Sequence, residues 1–394
     1  MADDHKWKKI SIDIDCESKI PDQKINKAIT FKNNIERHKF RKQKLAQIKG
    51  GLGVGSYGLV YKKGNYAIKQ FEKLNHIIQE WIVLKYLSDC TYVVKSPECN
   101  FYKKEIALQL YDSSVSTYIK TQNPSFSQRM KIIECVLSGL VEMHIRGLTH
   151  GDIKPSNMLV NYKDGKLFAV LADFGFSSVS KYSKVEYTSP IYQEPRIDHI
   201  CGPEHDMYSF GLSCIEILTG KTVSPKLDDG SNDWTYDAIN KVSYSYMKNY
   251  SCWKTIKKML DENYETRITS EEALEEMFKT QLYPWSWHSS MILKKNSKNC
   301  NSENKTTNIF RRKARSIHRS KIGSVALNDF FENKEEYMDL ETKKLYIKAT
   351  LFILYSIFRG DRCEIQETPL MIKIINDLLN NERFINQLMR PSVK

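Results

Sequence analysis

No Cys-x-x-Cys pair occurs among the nine cysteines, which are spread from Cys16 to Cys363. That excludes the usual zinc frameworks, and the odd count does not suit a secreted disulfide scaffold, so reduced thiols in an intracellular compartment are expected. Long apolar runs are missing as well. The longest, Ala349 to Phe358, covers about half of the ~20 residues a helix needs to cross a bilayer, so no membrane span is expected. The start, Met1 to Lys6, has no apolar stretch behind a basic cluster, which argues against a secretory signal. No internal repeat is found, which sets solenoids and propellers aside.

What is present is ordinary for a folded chain of 394 residues: 41% hydrophobic and 27% charged. The net charge of +13 is unevenly placed. Residues 1 to 50 hold 13 Lys/Arg against 7 Asp/Glu, and residues 291 to 321 hold 10 against 1, so the rest of the chain is close to neutral. Residues 1 to 45 show no sustained period and read as a basic, solvated arm with at most one short helix. Short β-rich runs punctuated by Gly and Asn follow to about residue 124, interrupted by a helical stretch near His76 to Leu87. From Ser125 the text turns helical. Ser125-x-x-Gln128 has the form of a capping box, and Gly147 stands where that helix should stop. A second buried helix is expected from about Asp206 to Leu218, ending at Gly220.

Chemistry first shows in the run Leu52-Gly53-Val54-Gly55-Ser56-Tyr57-Gly58-Leu59-Val60. Alone it is weak, because a dinucleotide-binding turn has the same glycine spacing. The context decides: such a turn should open a helix, whereas Leu59 to Lys63 alternates like a strand. Gly64-Asn65 signals a hairpin, and Tyr66-Ala67-Ile68-Lys69 reads as the returning strand. Backbone N–H groups in a glycine hairpin can lie against phosphate oxygens, and Lys69 can reach the same group. Eleven residues on, Glu80 lies in the helical stretch with its carboxylate placed to face Lys69.

The second cluster is His150-Gly151-Asp152-Ile153-Lys154-Pro155-Ser156-Asn157, followed by Leu171-Ala172-Asp173-Phe174-Gly175. Moving a phosphoryl group requires its charge to be neutralised and an acceptor hydroxyl to be aimed in line. Asp173 and Asn157 offer hard oxygens suited to Mg²⁺, Asp152 a carboxylate to orient the hydroxyl and take its proton, and Lys154 a cation to follow the charge. In this order the motifs resemble those of the eukaryotic-type Ser/Thr protein kinase superfamily, over about residues 48 to 280. The resemblance implies an α+β bilobal protein kinase fold: a small antiparallel β lobe (about 46–112) with a five-stranded sheet and one helix, and a large, mainly α lobe (about 113–283). It also implies ATP and Mg²⁺ as cofactors and protein Ser/Thr hydroxyls as acceptors. Residues Leu52 to Val60 with Lys69 and Glu80 would bind ATP, Asp152 and Lys154 would be catalytic, and Asn157 and Asp173 would hold metal. Lys154, two residues after Asp152, is similar to the Ser/Thr form. Leu108 to Asp112 aligns with the segment joining the lobes, where backbone near Gln109 and Tyr111 would hold adenine.

Two departures from the family pattern stand out. Gly151 replaces the arginine that clamps a phosphate on the activation segment. Activity is therefore expected not to depend on phosphorylation there, although Ser177, Ser178, Thr188 and Ser189 offer hydroxyls. The His-Gly-Asp form is similar to the vaccinia-related kinase branch, and also to aminoglycoside- and choline-type phosphotransferases, which gives a small-molecule kinase as one rival. A pseudokinase scaffold is the other. In place of Ala-Pro-Glu the chain has Tyr192-Gln193-Glu194-Pro195-Arg196, and Glu194 is expected to pair with Arg267 all the same, because a buried arginine needs a carboxylate.

The segment 284–326 is read as a basic linker. Its densest part, Arg311 to Lys321 with Ser316 inside it, suits a solvated linker, a self-phosphorylation site, or a surface for nucleic acid, anionic lipid or an acidic partner. Residues 327–394 carry no catalytic constellation. They are expected to form an α-helical extension that packs on itself or on the large lobe, or that docks a partner.

Overall fold

A computed structural model of the chain describes residues 34–55, 57–163, 165–179, 190–195, 202–227, 230–279, 323, 325–327, 330, 340–358 and 368–389. Ser56, Thr188, Ser189, Arg196, Ser316 and the basic run 291–321 lie outside them. The described residues divide into two compact units. One is drawn from Met1–Ile82, Glu98–Leu108 and Asn299–Arg390, the other from Val83–Pro97, Gln109–Lys298 and Pro391–Lys394.

The first unit is built on a five-stranded sheet of order β1-β2-β3-β5-β4, comprising β1 (Gly51–Val54), β2 (Gly58–Lys63), β3 (Tyr66–Phe71), β4 (Glu98–Asn100) and β5 (Glu105–Gln109). The pairs β1/β2, β2/β3 and β4/β5 are antiparallel. Lys63 opposite Tyr66 confirms the two-residue hairpin at Gly64-Asn65. Gly58 is required by close approach: a Cβ built there would lie 1.8 Å from the Gln70 carbonyl oxygen, which the β2/β3 ladder holds in place. Helix α1 (Asn34–Ala46) precedes the sheet, and α2 (Leu74–Tyr86) follows β3. Ile77 to Leu84 on α2 are buried without a break, so this stretch of the helix is enclosed on every face.

The second unit is mainly helical. Its elements are α3 (Val115–Gln122), α4 (Phe126–Ile145), α5 (Pro203–Thr219), α6 (Tyr236–Met247), α7 (Trp253–Met259) and α8 (Ser270–Phe278). Ser125 and Gln128 form the expected capping box at the start of α4, each side chain bonded to the other's backbone N–H. Helix α5 is buried from Asp206 to Leu218 and ends on Gly220 in the left-handed region, as its sequence required. Short β ladders frame one end of this unit: β6 (Ser113–Ser114), β8 (Met158–Lys163) and β9 (Lys166–Leu171) form one sheet. In the other, β7 (Leu148–Thr149) pairs with β10 (Ser178–Val179). Buried aliphatic side chains of α4, among them Ile132, Val136 and Leu140, supply much of the core.

Three helices close the described chain: α9 (Leu340–Phe358), α10 (Pro369–Leu379) and α11 (Glu382–Met389). Ile353, Ile375, Leu379, Phe384 and Leu388 are buried, so these helices do pack on one another. The described residues of 299–390 group with the sheet unit, where the Tyr102 hydroxyl donates to the Pro369 carbonyl oxygen over 3.2 Å. Among the described residues, no helix is long and apolar enough to cross a membrane.

Candidate active site

In the sheet unit, β1 and β2 present the glycine loop and β3 presents Lys69 directly opposite Val60. The loop is closed by the Gly55 N–H donating to the Gly58 carbonyl oxygen over 2.9 Å. A Cβ added at Gly55 would lie 3.7 Å from the Lys69 side-chain Cε, so the lysine stem runs beneath the turn, while a Cβ at Gly53 would meet nothing within 4 Å. Lys69 Nζ bonds both Glu80 oxygens, at 2.8 and 2.6 Å. Both side chains are almost fully buried, at 4% and 1% exposed. A buried ammonium with no counter-charge would be strongly disfavoured, and Glu80 supplies a counter-charge that fixes Lys69 beneath the loop. The pairing of Lys69 with Glu80 read from the sequence is therefore present.

In the helical unit, the ladder of β7 with β10 and the ladder of β8 with β9 hold the two motif segments side by side. The Ala172 N–H donates to the Asn157 carbonyl oxygen (2.9 Å), which draws Asp173 toward Asn157. His150 is fully buried and acts as a brace. The Asp152 N–H donates to its Nδ1 (3.3 Å), so the ring proton resides on Nε2 and is donated to the Ala172 carbonyl oxygen (3.0 Å).

Asp152 is 5% exposed, and its Oδ2 receives Lys154 Nζ and Asn157 Nδ2, each at 2.8 Å. Asn157 Nδ2 also donates to the Asp152 backbone oxygen, at 2.9 Å. With its amino group spent on Asp152, the amide oxygen is the atom Asn157 has to offer a metal. Asp173 stands in the left-handed region, φ 64°, at the start of a short 3-10 turn over Phe174–Phe176. The two are hard oxygen donors on adjoining segments, a set that suits a divalent cation whose remaining ligands come from phosphates and water.

Asp206, on α5, organises the segment around His150 and was read in the sequence only as part of a buried helix. Its carboxylate accepts the backbone N–H groups of His150 (2.6 Å) and Gly151 (2.9 Å), and bonds His144 Nε2 at 3.1 Å. Burial works to raise its pKa, but the bonds from His144 and the Gly151 N–H outweigh it and hold the carboxyl below the usual range. Gly151 has φ +79°, and a Cβ there would lie 2.7 Å from the Phe176 carbonyl oxygen. Gly151→Ala is thus expected to cost about 1–3 kcal/mol, read as a lowered melting temperature. A melting temperature equal to wild type would show that the segment accommodates a side chain there.

The other sequence expectations divide. Glu194 and Arg267 do pair: Nη2 to Oε1 at 2.7 Å and Nη1 to Oε2 at 3.1 Å, with both side chains buried. Ser177 and Ser178 are 1% and 4% exposed, and the Ser177 hydroxyl donates to the His150 carbonyl oxygen, so neither is presented for modification. The Gln109 N–H is already given to the Lys95 carbonyl oxygen at 2.8 Å, which leaves only its own carbonyl for a base.

Comparison with known proteins agrees with this geometry. The family model described as "Protein kinase domain" matches residues 46–279. The chain belongs to the protein kinase family. A probable cyclin-dependent serine/threonine-protein kinase of Dictyostelium discoideum is 31% identical over 189 residues, covering 43% of this chain and 13% of the relative. A putative serine/threonine-protein kinase/receptor of Acanthamoeba polyphaga mimivirus is 28% identical over 202 residues, covering 44% of this chain and 12% of the relative. Serine/threonine-protein kinase 17A of Oryctolagus cuniculus is 28% identical over 225 residues, covering 52% of this chain and 55% of the relative. The chain thus spans about half or less of the length of these relatives. Its sheet unit and mainly helical unit are those of the bilobal kinase fold, a fold whose members use ATP with a divalent metal.

Proposed function

We propose that the chain is a protein serine/threonine kinase that transfers the γ-phosphoryl group of Mg-ATP to hydroxyl groups of proteins. The observation that carries this reading is the bonding of Asp152, whose one carboxylate oxygen is held by both Lys154 and Asn157. A carboxylate so held can orient an incoming hydroxyl and receive its proton while the hydroxyl oxygen bonds to phosphorus and the bond to the departing ADP oxygen breaks. Lys154, bonded to the same carboxylate, would offset charge on the transferring group. Asn157 and Asp173 would hold Mg²⁺, which supplies neutralisation of phosphate charge when bound. Leu52 to Val60 would cover the phosphates, with Lys69, locked by Glu80, as their cation.

The catalytic domain in this reading is 46–283, followed by the basic linker 284–326 and the helical extension. Lacking a guanidinium at position 151, the enzyme would not need phosphate on its activation segment. Lys154, the relatives' names and the intact set of charged positions favour protein acceptors and an active enzyme over a scaffold.

The test is transfer of labelled phosphate from ATP to mixed protein acceptors, using phosphatase-treated chain, with and without Mg²⁺. Incorporation by wild type is expected, falling about 10²-fold or more in Lys69→Met. Labelling of choline or an aminoglycoside instead of protein would favour the small-molecule rival. No incorporation into any acceptor would favour the scaffold.

A further inference from the structure

Helix α1 begins 12 residues before the stretch that the family model matches, yet it lies on the glycine hairpin. Leu45 packs so closely that a Cβ on Gly51 would come 2.9 Å from its Cγ. One turn earlier, Arg41 is 6% exposed, an unusual state for a residue of a highly charged helix. Its Nε donates to Glu72 Oε1 at 2.7 Å and its Nη1 to the Gly55 carbonyl oxygen at 3.3 Å. Glu72 follows β3, and its own N–H reaches the Tyr57 carbonyl oxygen over 3.4 Å. The Tyr57 ring in turn lies on the His76 ring of α2, centroids 4.1 Å apart. The turn of the loop is therefore bracketed on both sides, with the Gly55 carbonyl tied to Arg41 and the Tyr57 carbonyl tied to Glu72, and the two tethers are joined by one ion pair.

A glycine loop has few side chains to hold it and much conformational freedom to lose on meeting a ligand. Anchors on its carbonyls remove that freedom beforehand, so less of it is lost when a phosphate arrives. A planar guanidinium suits the task, because its fixed fork can serve a carboxylate and a carbonyl together, whereas an ammonium is a point donor.

We propose that Arg41 is a positioning residue for the phosphate loop, so that nucleotide affinity depends on a helix outside the family-matched region. This rests on the reading of the loop as the ATP-phosphate site.

The test uses the full chain as wild type, Arg41→Ala, and the double exchange Arg41→Glu with Glu72→Arg, which restores the ion pair but sets a carboxylate toward the Gly55 carbonyl. Three readouts are taken: melting temperature, amide hydrogen exchange at Gly55 and Gly58, and the KM values for ATP and for a protein acceptor. In Arg41→Ala, loop exchange is expected to quicken and the KM for ATP to rise about tenfold, the worth of one hydrogen bond to a charged group, with kcat and the acceptor KM within twofold of wild type. The double exchange is expected to recover the melting temperature but not the KM. If the double exchange restores both, or if the KM for ATP is unchanged in Arg41→Ala, Arg41 has a structural role only and the proposal falls. A wild type that neither binds a fluorescent ATP analogue nor transfers phosphate would instead overturn the functional reading, and this proposal with it.

Discussion

Asp152→Asn should lower phosphoryl transfer by about 10²- to 10⁴-fold, the usual worth of a positioned general base, while leaving the melting temperature within a few degrees of wild type. The substitution keeps the volume of a side chain that is 5% exposed and keeps an oxygen able to accept from Lys154 or Asn157. What it removes is the capacity to receive a proton and the negative charge that holds Lys154. Lys154 is 16% exposed on its side chain, so its charge can turn to water and the cost to folding is small. Initial rates with saturating ATP and acceptor, set beside a melting curve, separate the two effects. A rate within threefold of wild type would remove Asp152 from the chemistry and, with it, the observation on which the functional reading stands.

The largest stability effect is expected at the other buried carboxylate. Glu194→Gln should destabilise the helical unit by about 3–5 kcal/mol, because it strands a buried guanidinium that has lost its counter-charge. Arg267 is 0% and Glu194 1% exposed at the side chain, and the guanidinium also lies 5.1 Å from the Tyr208 ring centroid. Its remaining partners are the Asp261 and Glu204 carbonyl oxygens, which are dipoles and not charges. Glu194 in turn accepts the Tyr236 hydroxyl at 2.8 Å and bonds His205 Nδ1 at 3.3 Å.

Burial acts to raise the Glu194 pKa, but the bonds from His205, Arg267 and Tyr236 overcome it and bring the group from 4.5 down to about 2. A lowered pKa means that the unfolded chain binds the proton more readily, so this stability is fully present above pH 4.5 and is lost as pH falls toward 2. The drop from 4.5 to about 2 corresponds to about 3 kcal/mol, the same range as is expected for the buried pair. Urea unfolding of wild type and Glu194→Gln at pH 7 and pH 3 measures both. The wild type should lose much of its advantage over the variant at the lower pH. A variant as stable as wild type at pH 7 would show that Arg267 is held by backbone carbonyls alone.

Much of the site was legible because phosphoryl transfer dictates residue types at short spacings. Asp152, Lys154 and Asn157 fall within six residues, and one loop conformation brings them together. The glycine hairpin was legible from its punctuation, with Gly64-Asn65 separating two strands whose register the structure shares. The pair Glu194–Arg267 was inferred across 73 residues of separation only because a buried arginine demands a carboxylate, and the rearranged Glu194-Pro195 order did not disturb it.

Other contacts left no signal in the text. Arg41 is one of 13 basic residues in the first 50, and nothing in its neighbours marks it as buried. Asp206 was visible as part of a buried helix, but its hold on the His150 and Gly151 N–H groups depends on how α5 approaches β7. The helices after residue 340 were legible as helices from their apolar spacing, yet their grouping with the sheet unit was not.

Residue chemistry by itself determined the kind of reaction, the loop and strand that carry Lys69, and the segment that carries Asp152, since each depends on neighbours a few positions away. Tertiary structure alone decided which of many charged residues are buried, which carboxylate supports which backbone, and where the flanking helices come to rest. The reason is physical: hydrogen-bond and turn preferences act over a few residues and are written locally. Burial is a property of the assembled chain, and only there does an arginine such as Arg41 differ from its exposed neighbours.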